Sequence, residues 1–186
     1  MTLSLAGKNV ALLVANGFDE NQMAEIQRAL TKAQATLRTI APEQGVVNGW
    51  QGAGWGHYFP VDVQINEALG SDFNMLVLPG GERSAAKLKT NLHARRIIGH
   101  FLEAGKPVTA IGAGTGLLAL STKIAGRMVA APADAQNELK AVGAVLSEEP
   151  QEVDLNLLTS TGADLAAWVA EVVEFFGDAE LIKEAA

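Results

Sequence analysis

A glycine-rich turn is the first segment of this sequence whose residue types and spacing could support chemistry. Gly112-Ala-Gly-Thr-Gly116 follows the short apolar segment Val108–Ile111 and precedes the mostly apolar residues 117–120. This pattern predicts a buried strand, a sharp turn and a helix. Such a turn exposes its apex residue and directs backbone N–H groups of the helix start into the same space. The apex residue is Gly112, so the turn would offer hydrogen-bond donors without a side-chain nucleophile.

Three other residues near this turn could act as nucleophile, acid or base. Thr115 is the third residue past the apex, which favours a role at the helix start, and nucleophilic catalysis would also require a base beside it. Asp19 and Glu20 follow the first predicted strand, at the mouth of the same crevice. They could act as acid groups without a cysteine. Alternatively, Asp19 caps the next helix and Glu20 stabilises its N-terminus, which is the interpretation we favour.

Neither a cofactor nor a metal ion is predicted. The glycine spacing departs from the dinucleotide-binding pattern G-x-G-x-x-G, because Leu117 stands where the third glycine belongs. A small anion could still bind the backbone N–H groups of the turn. His93 and His100 are about two helical turns apart, which is too far for shared ligation of one ion. His57 lies on a predicted hairpin, away from the strand ends.

Composition limits the classes of partner. The 186 residues include 48% hydrophobic and 19% charged residues, which is typical of one globular domain spanning residues 1–186, with a frayed tail at 178–186. A net charge of −7 without a basic stripe argues against nucleic acid. The absence of cysteine excludes disulfides, thiolate metal sites and a cysteine nucleophile. We see no signal peptide and no apolar run long enough to span a bilayer, and therefore expect a cytoplasmic protein without membrane contact.

The elements that would position the turn alternate along the chain. Strands are predicted at residues 10–15, 36–41, 74–78, 108–111, 128–131, 144–146 and 153–160. Helices are predicted at 20–33, 92–104, 133–141 and 163–176, with one helical turn at 84–88. This alternation implies a mainly parallel sheet with helices on both faces, a three-layer α/β/α, flavodoxin-like architecture. Gly80 and Gly81 end one of the strands, where their N–H groups would point into the crevice at the carboxyl edge of the sheet.

Residues 46–64 interrupt this alternation with glycines and aromatic residues. The alternation of Val61 and Val63 with polar residues predicts the return limb of a hairpin with a glycine-rich, aromatic tip. The aromatic segment includes Trp50, Trp55 and Tyr58. Its rings could cover the domain or a dimer partner, or they could form a lid over a ligand. We favour the first interpretation, because aromatic residues anchor interfaces more often than cofactors.

Four segments carry a resemblance through their order and spacing. They are Val14-Ala-Asn-Gly-Phe-Asp-Glu20, Leu76-Val-Leu-Pro-Gly-Gly81, Val108-Thr-Ala-Ile-Gly-Ala-Gly114 and Val153-Asp-Leu-Asn-Leu-Leu-Thr-Ser160. Together they resemble the PfpI/ThiJ-type superfamily, whose fold is related to that of class I glutamine amidotransferases. The resemblance extends over nearly the whole chain and implies the same flavodoxin-like fold, with one hairpin inserted.

The departures from that superfamily affect its covalent chemistry. Its nucleophilic cysteine aligns with Gly112, the following histidine with Ala113, and the helix-borne glutamate with Gln22. A nucleophile at this turn has a strained backbone, at a cost of about 1–3 kcal/mol, which glycine relieves. Gln22 offers an amide donor where a protonated carboxyl group would offer O–H, so its local hydrogen bond could survive.

The altered turn looks most like that of the C-terminal domain of large-subunit catalases, and the resemblance implies a domain without covalent chemistry and without haem. Our first hypothesis is a non-catalytic domain that acts by association, as a homodimer or with another protein, in stress physiology. The alternative is a small organic anion binder, or a weak enzyme of hydrolase or lyase type, that uses the strand-end crevice. The candidate ligand-binding residues are Asp19, Glu20, Gln22, Gly80, Gly81, Gly112, Ala113, Gly114 and Thr115.

Overall fold

The structure, a computed structural model, describes residues 3–185, with side chains described through residue 179. In chain order the strands and helices are β1 (Asn9–Leu13), β2 (Phe18–Asp19), α1 (Glu20–Lys32), β3 (Thr36–Ala41), β4 (Val46–Gln51), β5 (Gly54–Pro60), β6 (Val63–Gln64), β7 (Met75–Leu78), α2 (Glu82–Lys89), α3 (Leu92–Glu103), β8 (Val108–Ile111), β9 (Met128–Val129), α4 (Ala133–Ala141), β10 (Val145–Leu146), β11 (Gln151–Asp154), β12 (Leu157–Ser160) and α5 (Leu165–Ala185). Short 3₁₀ helices span Gly70–Asp72, Gly112–Leu120 and Thr122–Ile124.

A seven-stranded central sheet has the strand order β11-β12-β8-β7-β1-β3-β6. Its strand pairs are parallel except for the antiparallel edge pair β11–β12. A smaller sheet of β2, β4 and β5 stands beside it, and β9 pairs with β10 in parallel. The flavodoxin-like α/β fold predicted from the sequence is confirmed.

The central strands are buried on both faces, which explains their continuous apolar runs. Successive residues of β1 alternate between two cores: Val10 and Leu12 face one, and Ala11 and Leu13 face the other. The first core includes apolar side chains of α1 and α5, and the second includes those of α2, α3 and α4. The sheet is therefore the middle of three layers. Within the described residues, none of the helices has the length and apolar character needed to cross a membrane.

Several elements differ from their predicted bounds. The predicted strand at 153–160 is two strands, β11 and β12, because Leu155 adopts a left-handed backbone (φ 53°) and turns the chain. The segment after β8 forms a 3₁₀ helix, and the predicted helical turn at 84–88 is part of the two-turn helix α2. The predicted return limb around Val61 and Val63 is not part of the hairpin, because Val63 lies in β6 of the central sheet. The return limb is β5, and the aromatic residues lie on the strands, Trp50 on β4 and Trp55 and Tyr58 on β5, instead of at a tip. Helix α5 continues to Ala185, past the start of the predicted frayed tail.

Candidate functional site

The predicted sharp turn follows β8 directly, and its first residue, Gly112, has a left-handed backbone conformation. Gly112 adopts φ +56°, a left-handed conformation that is costly for residues with a Cβ. The 3₁₀ helix begins at Gly112 without a side-chain cap. Thr115 is fully buried, and its hydroxyl donates a 2.7 Å hydrogen bond to the carbonyl oxygen of Gly112. Thr115 therefore stabilises the turn, as the sequence predicted, and its hydroxyl does not face the crevice as a nucleophile.

Gln22 lies directly beside this turn. Its Oε1 accepts a 2.8 Å hydrogen bond from the backbone N–H of Gly80, so its amide nitrogen points the other way. Nε2 lies 3.7 Å from the position that a Cβ on Gly112 would occupy. Within the described part of the chain this nitrogen has no acceptor. The hydrogen bond of Gln22 is therefore one that it accepts, whereas the sequence predicted one donated by its amide group. The amide donor faces the hollow above the glycine and has no acceptor among the described residues.

Asp19 caps the helix that carries Gln22. Its carboxylate accepts a 3.0 Å hydrogen bond from the backbone N–H of Gln22, and its own N–H donates to the carbonyl of Gly80 at 2.9 Å. The ends of β2 and β7 are thereby tied together. The capping interpretation that we favoured for Asp19 is the one the geometry supports, because this carboxylate already has a partner.

Close backbone approach explains the glycines beneath the crevice. Gly81 adopts φ +109°, and a Cβ there would lie 2.5 Å from the carbonyl oxygen of Gly17. A Cβ on Gly80 would lie 2.5 Å from Oε1 of Gln22, and one on Gly114 would lie 2.6 Å from the carbonyl oxygen of Pro79. These distances are below van der Waals contact, so glycine allows the three segments to meet.

The crevice above this floor has a volume of about 880 Å³. Of the predicted residues, it brings together Asp19, Gln22, Gly81, Gly112 and Ala113 in one lining. Gly80, Gly114 and Thr115 support the lining from below and are not part of it. Among the described residues, no group of three potential ligands is arranged to hold a metal ion.

Glu20 has a different environment from its neighbour Asp19. It is 5% exposed, and its carboxylate is directed into the β4–β5 hairpin, away from the crevice lining. Oε2 accepts from the backbone N–H of His57 at 2.8 Å, and Oε1 lies 2.5 Å from Nδ1 of the same residue. Gln51 adds a third donor at 3.1 Å. Glu20 thus anchors the hairpin.

Two hairpin glycines make room for this carboxylate. A Cβ on Gly49 would lie 2.7 Å from Oε2 of Glu20, and a Cβ on Gly56 would overlap the same atom. Sequence reasoning placed His57 away from the site and did not pair it with Glu20. The available signal was the spacing of glycines on both limbs of the hairpin, which indicates that something must pass between them.

The hairpin also forms one wall of the crevice through Trp50. The guanidinium carbon of Arg83 lies 4.3 Å from the centre of the Trp50 ring and 5.8 Å from that of Trp55. The two rings pack edge to face, with their centres 5.2 Å apart. Arg83 was missed at the sequence level, although its position two residues after Gly81 placed it at the carboxyl edge of the sheet. Trp50 lines the crevice, as the ligand-lid interpretation of the aromatic residues would require. Tyr58 is 70% exposed and does not line the crevice, so it does not take part in such a lid.

Carboxylates lie on the crevice wall beside Arg83. Glu82 and Asp134 line the crevice, and both also line a smaller adjoining pocket of about 130 Å³. Neither forms an ion pair within the part of the chain that the structure describes. The crevice therefore combines amide and guanidinium donors with three acidic groups, Asp19, Glu82 and Asp134, and it is lined by few large apolar side chains.

Comparison with known proteins agrees with the fold. An uncharacterized protein of Archaeoglobus fulgidus is 34% identical over 109 residues, which are 59% of this chain and 64% of that protein. Protein/nucleic acid deglycase 2 of Escherichia coli K12 is 30% identical over 173 residues, covering 91% of this chain and 98% of that protein. A two-domain structure from Anabaena variabilis, with DJ-1/ThiJ/PfpI-like and ferritin-like domains, matches with a TM-score of 0.83 at 24% identity, over 91% of this chain and 50% of that chain.

The resemblance stated from the four sequence segments is confirmed at the level of the family, whereas the likeness to the catalase C-terminal domain stays a prediction. The DJ-1/PfpI family model matches residues 8–175. This match includes the first strand, the Gly80-Gly81 strand end, the Gly112 turn and the start of the last helix. The chain belongs to the DJ-1/PfpI family.

Proposed function

We propose that this chain is a DJ-1/PfpI domain that has lost covalent chemistry and has kept the strand-end crevice as a non-covalent binding site for a small organic ligand. The observation that carries the proposal is the pairing of Gly112 with Gln22. The position of the attacking atom holds no side chain, and the neighbouring amide nitrogen is directed into the space that this leaves. An oxygen of a bound carbonyl or carboxylate group would complete the hydrogen bonding of that nitrogen.

The size of the crevice is consistent with this role. Its volume of about 880 Å³ lies within the range of small-molecule sites. The backbone N–H groups at the uncapped start of the 3₁₀ helix add donors to the floor. A ligand with an oxygen acceptor would be held by these donors without forming a bond to the protein.

The relative from Escherichia coli is named a deglycase. We propose that a deglycase reaction through a covalent intermediate is not retained in this chain, because no cysteine occurs anywhere in the sequence and the resemblance places the family's cysteine at Gly112. Assays for peptidase, deglycase and glutaminase activity should show no turnover above background. A trapped acyl or hemiacetal adduct on any crevice residue would overturn the proposal.

Binding is tested directly by a thermal-shift screen of small organic acids and their neutral amides, followed by calorimetric titration. Gln22→Ala should weaken binding of a hit by about tenfold, since a hydrogen bond to a charged group contributes about 1.5–3 kcal/mol. Gln27→Ala on the same helix is the matched control and should leave binding unchanged. If no compound stabilises the protein, or if both variants bind alike, the crevice is not the binding site.

Association as a homodimer, a protein partner, a cytoplasmic location and a role in stress physiology stay predictions. The same is true of the weak-enzyme alternative. Turnover that is abolished by a substitution at Asp19 or Glu20 would favour that alternative over the binding function.

A further inference from the structure

We propose that Arg83 is the specificity-determining residue of the crevice and that it selects a ligand with a single carboxylate group. This inference rests on the proposed binding function and adds the chemical class of the ligand. Three observations on the Arg83 side chain support it. The aliphatic part (the stem) packs against Gly17, the guanidinium group (the head) lies beside the Trp50 ring, and the guanidinium group has no hydrogen-bond acceptor among the described residues.

The stem of Arg83 lies against the backbone at Gly17, directly before β2. A Cβ on Gly17 would overlap the Cβ of Arg83 and would lie 3.1 Å from its Cδ. Gly17 also adopts φ +91°, a conformation that favours glycine. The absence of a side chain at residue 17 therefore forms a notch, and the aliphatic part of Arg83 fills it.

The head of Arg83 is held by aromatic stacking. Its guanidinium carbon lies 4.3 Å from the centre of the Trp50 ring, within the range of a cation–π contact. Trp55 supports Trp50 from the other limb of the hairpin by edge-to-face packing. The guanidinium group is thus held beside the Trp50 ring before any ligand arrives, which reduces the entropy lost on binding.

What the head lacks is an acceptor. Arg83 forms neither an ion pair nor a hydrogen bond with another described residue, although a guanidinium group has five N–H donors. Its neighbour on the same helix, Lys87, pairs with Glu43, and Lys89 pairs with Glu138. Arg83 is the cation of α2 that is left with stacking contacts only. A planar carboxylate matches its donor geometry in two parallel hydrogen bonds.

The charges around Arg83 limit the ligand to one negative group. Glu82 and Asp134 line the same crevice and would repel a second carboxylate or a chain of phosphates. The carboxylate of Asp19, which accepts a hydrogen bond from the backbone N–H of Gln22, adds a further negative charge to the crevice. We infer that a small monocarboxylate places its anionic group on Arg83, in the same crevice that the Gln22 amide lines.

The test is calorimetric titration of the full chain with pyruvate, and with its neutral isostere pyruvamide. Pyruvate should bind, pyruvamide should bind at least about tenfold more weakly, and the dianion succinate should bind more weakly than pyruvate. Arg83→Gln should remove the preference for pyruvate over pyruvamide, and Arg83→Lys should retain part of it.

Lys87→Gln removes one positive charge from the same helix outside the crevice, and should leave all three affinities unchanged. Urea unfolding of each variant confirms that it folds.

The outcomes separate this inference from the proposed function. If pyruvate and pyruvamide bind equally, and binding depends on Gln22 but not on Arg83, the inference is wrong and the binding function stands. If Lys87→Gln has the same effect as Arg83→Gln, the selection comes from general charge, and the inference is again wrong. If pyruvate, pyruvamide, succinate and the compounds of the thermal-shift screen all fail to bind the unmodified chain, both proposals fail.

Discussion

Glycine has opposite uses in two neighbouring regions of this molecule. At the Gly112 turn, a Cβ would meet nothing closer than 3.7 Å, and the space above the glycine is open. In the β4–β5 hairpin, a Cβ on Gly56 would overlap the carboxylate of Glu20, and the space is filled. Both glycines lie beside a polar side chain of α1, Gln22 in the first case and Glu20 in the second. The crevice therefore has an open floor, while the hairpin that forms its wall is closed around a buried acid.

The comparison separates glycines that make room for a ligand from glycines that make room for the protein itself. Glu20 has three donors around its carboxylate, so its region is complete without a ligand. Gln22 has an acceptor for neither hydrogen of its amide nitrogen within the described residues. Substitutions at the two places should consequently have different effects, with stability most affected at the hairpin.

The largest effect is expected for Gly56→Ala. The new methyl group would displace the Glu20 carboxylate, and the hydrogen bonds from His57 would be lost with it. The free energy of unfolding, measured with urea, should fall by about 3 kcal/mol, combining overpacking with unpaired buried polar groups.

Gly54→Ala is the matched control for that substitution, in the same strand and the same residue type. Nothing lies within 4 Å of a Cβ at Gly54, so the change should stay within about 0.5 kcal/mol. Equal losses for the two variants would show that strand glycines act through backbone entropy and not through the Glu20 contact.

A smaller loss is expected for Glu20→Gln. The amide keeps the shape of the side chain but presents N–H groups to donors, because Gln51 and His57 both donate to the carboxylate. The free energy of unfolding should fall by about 2 kcal/mol, as for a lost charge-assisted hydrogen bond. Gln22→Glu is the reciprocal substitution at the open region. A loss at residue 22 as large as that at residue 20 would contradict the distinction between the two regions.

Gly112→Ala should lower the free energy of unfolding by about 1 kcal/mol, because a left-handed backbone is unfavourable for a residue with a Cβ. No clash adds to it, because Nε2 of Gln22 lies 3.7 Å away. Gly99→Ala within α3, where a Cβ also meets nothing within 4 Å, should instead stabilise the protein by about 0.5–1 kcal/mol. Chemical denaturation measures both. A loss above about 3 kcal/mol at Gly112 would mean that the hollow is not open.

Gly112→Cys measures how open the space above residue 112 is, and it should lower the free energy of unfolding no more than Gly112→Ala does. The new thiol would lie in the crevice and should react readily with a small disulfide reagent, since the chain contains no other cysteine. Thr115→Cys is the control, because residue 115 is fully buried three residues away. The thiol at 112 should be labelled at least about tenfold faster. Equal labelling rates would show that the Gly112 position is as enclosed as Thr115.

Local patterns of residue types along the chain were sufficient to predict the α/β architecture. The continuous apolar runs of the buried strands and the 3.6-residue period of α1 and α3 are properties of neighbouring residues, so they could be recognised directly. The same holds for the turn at Gly112 and for the cap at Asp19, which depend on short stretches of chain. The division of 153–160 into two strands was missed, because the left-handed conformation of Leu155 has no signal in its residue type.

The fold, the family resemblance and the absence of a cysteine nucleophile could be read from the amino-acid sequence alone, because each follows from residue types in order along the chain. The partners of the polar side chains became visible only in the folded chain. The Glu20–His57 contact joins residues 37 positions apart, and Arg83 meets Trp50 and Trp55 across the crevice. Such contacts depend on the packing of the hairpin against α1 and α2, and the spacing of residues along a strand or helix carries no record of that packing.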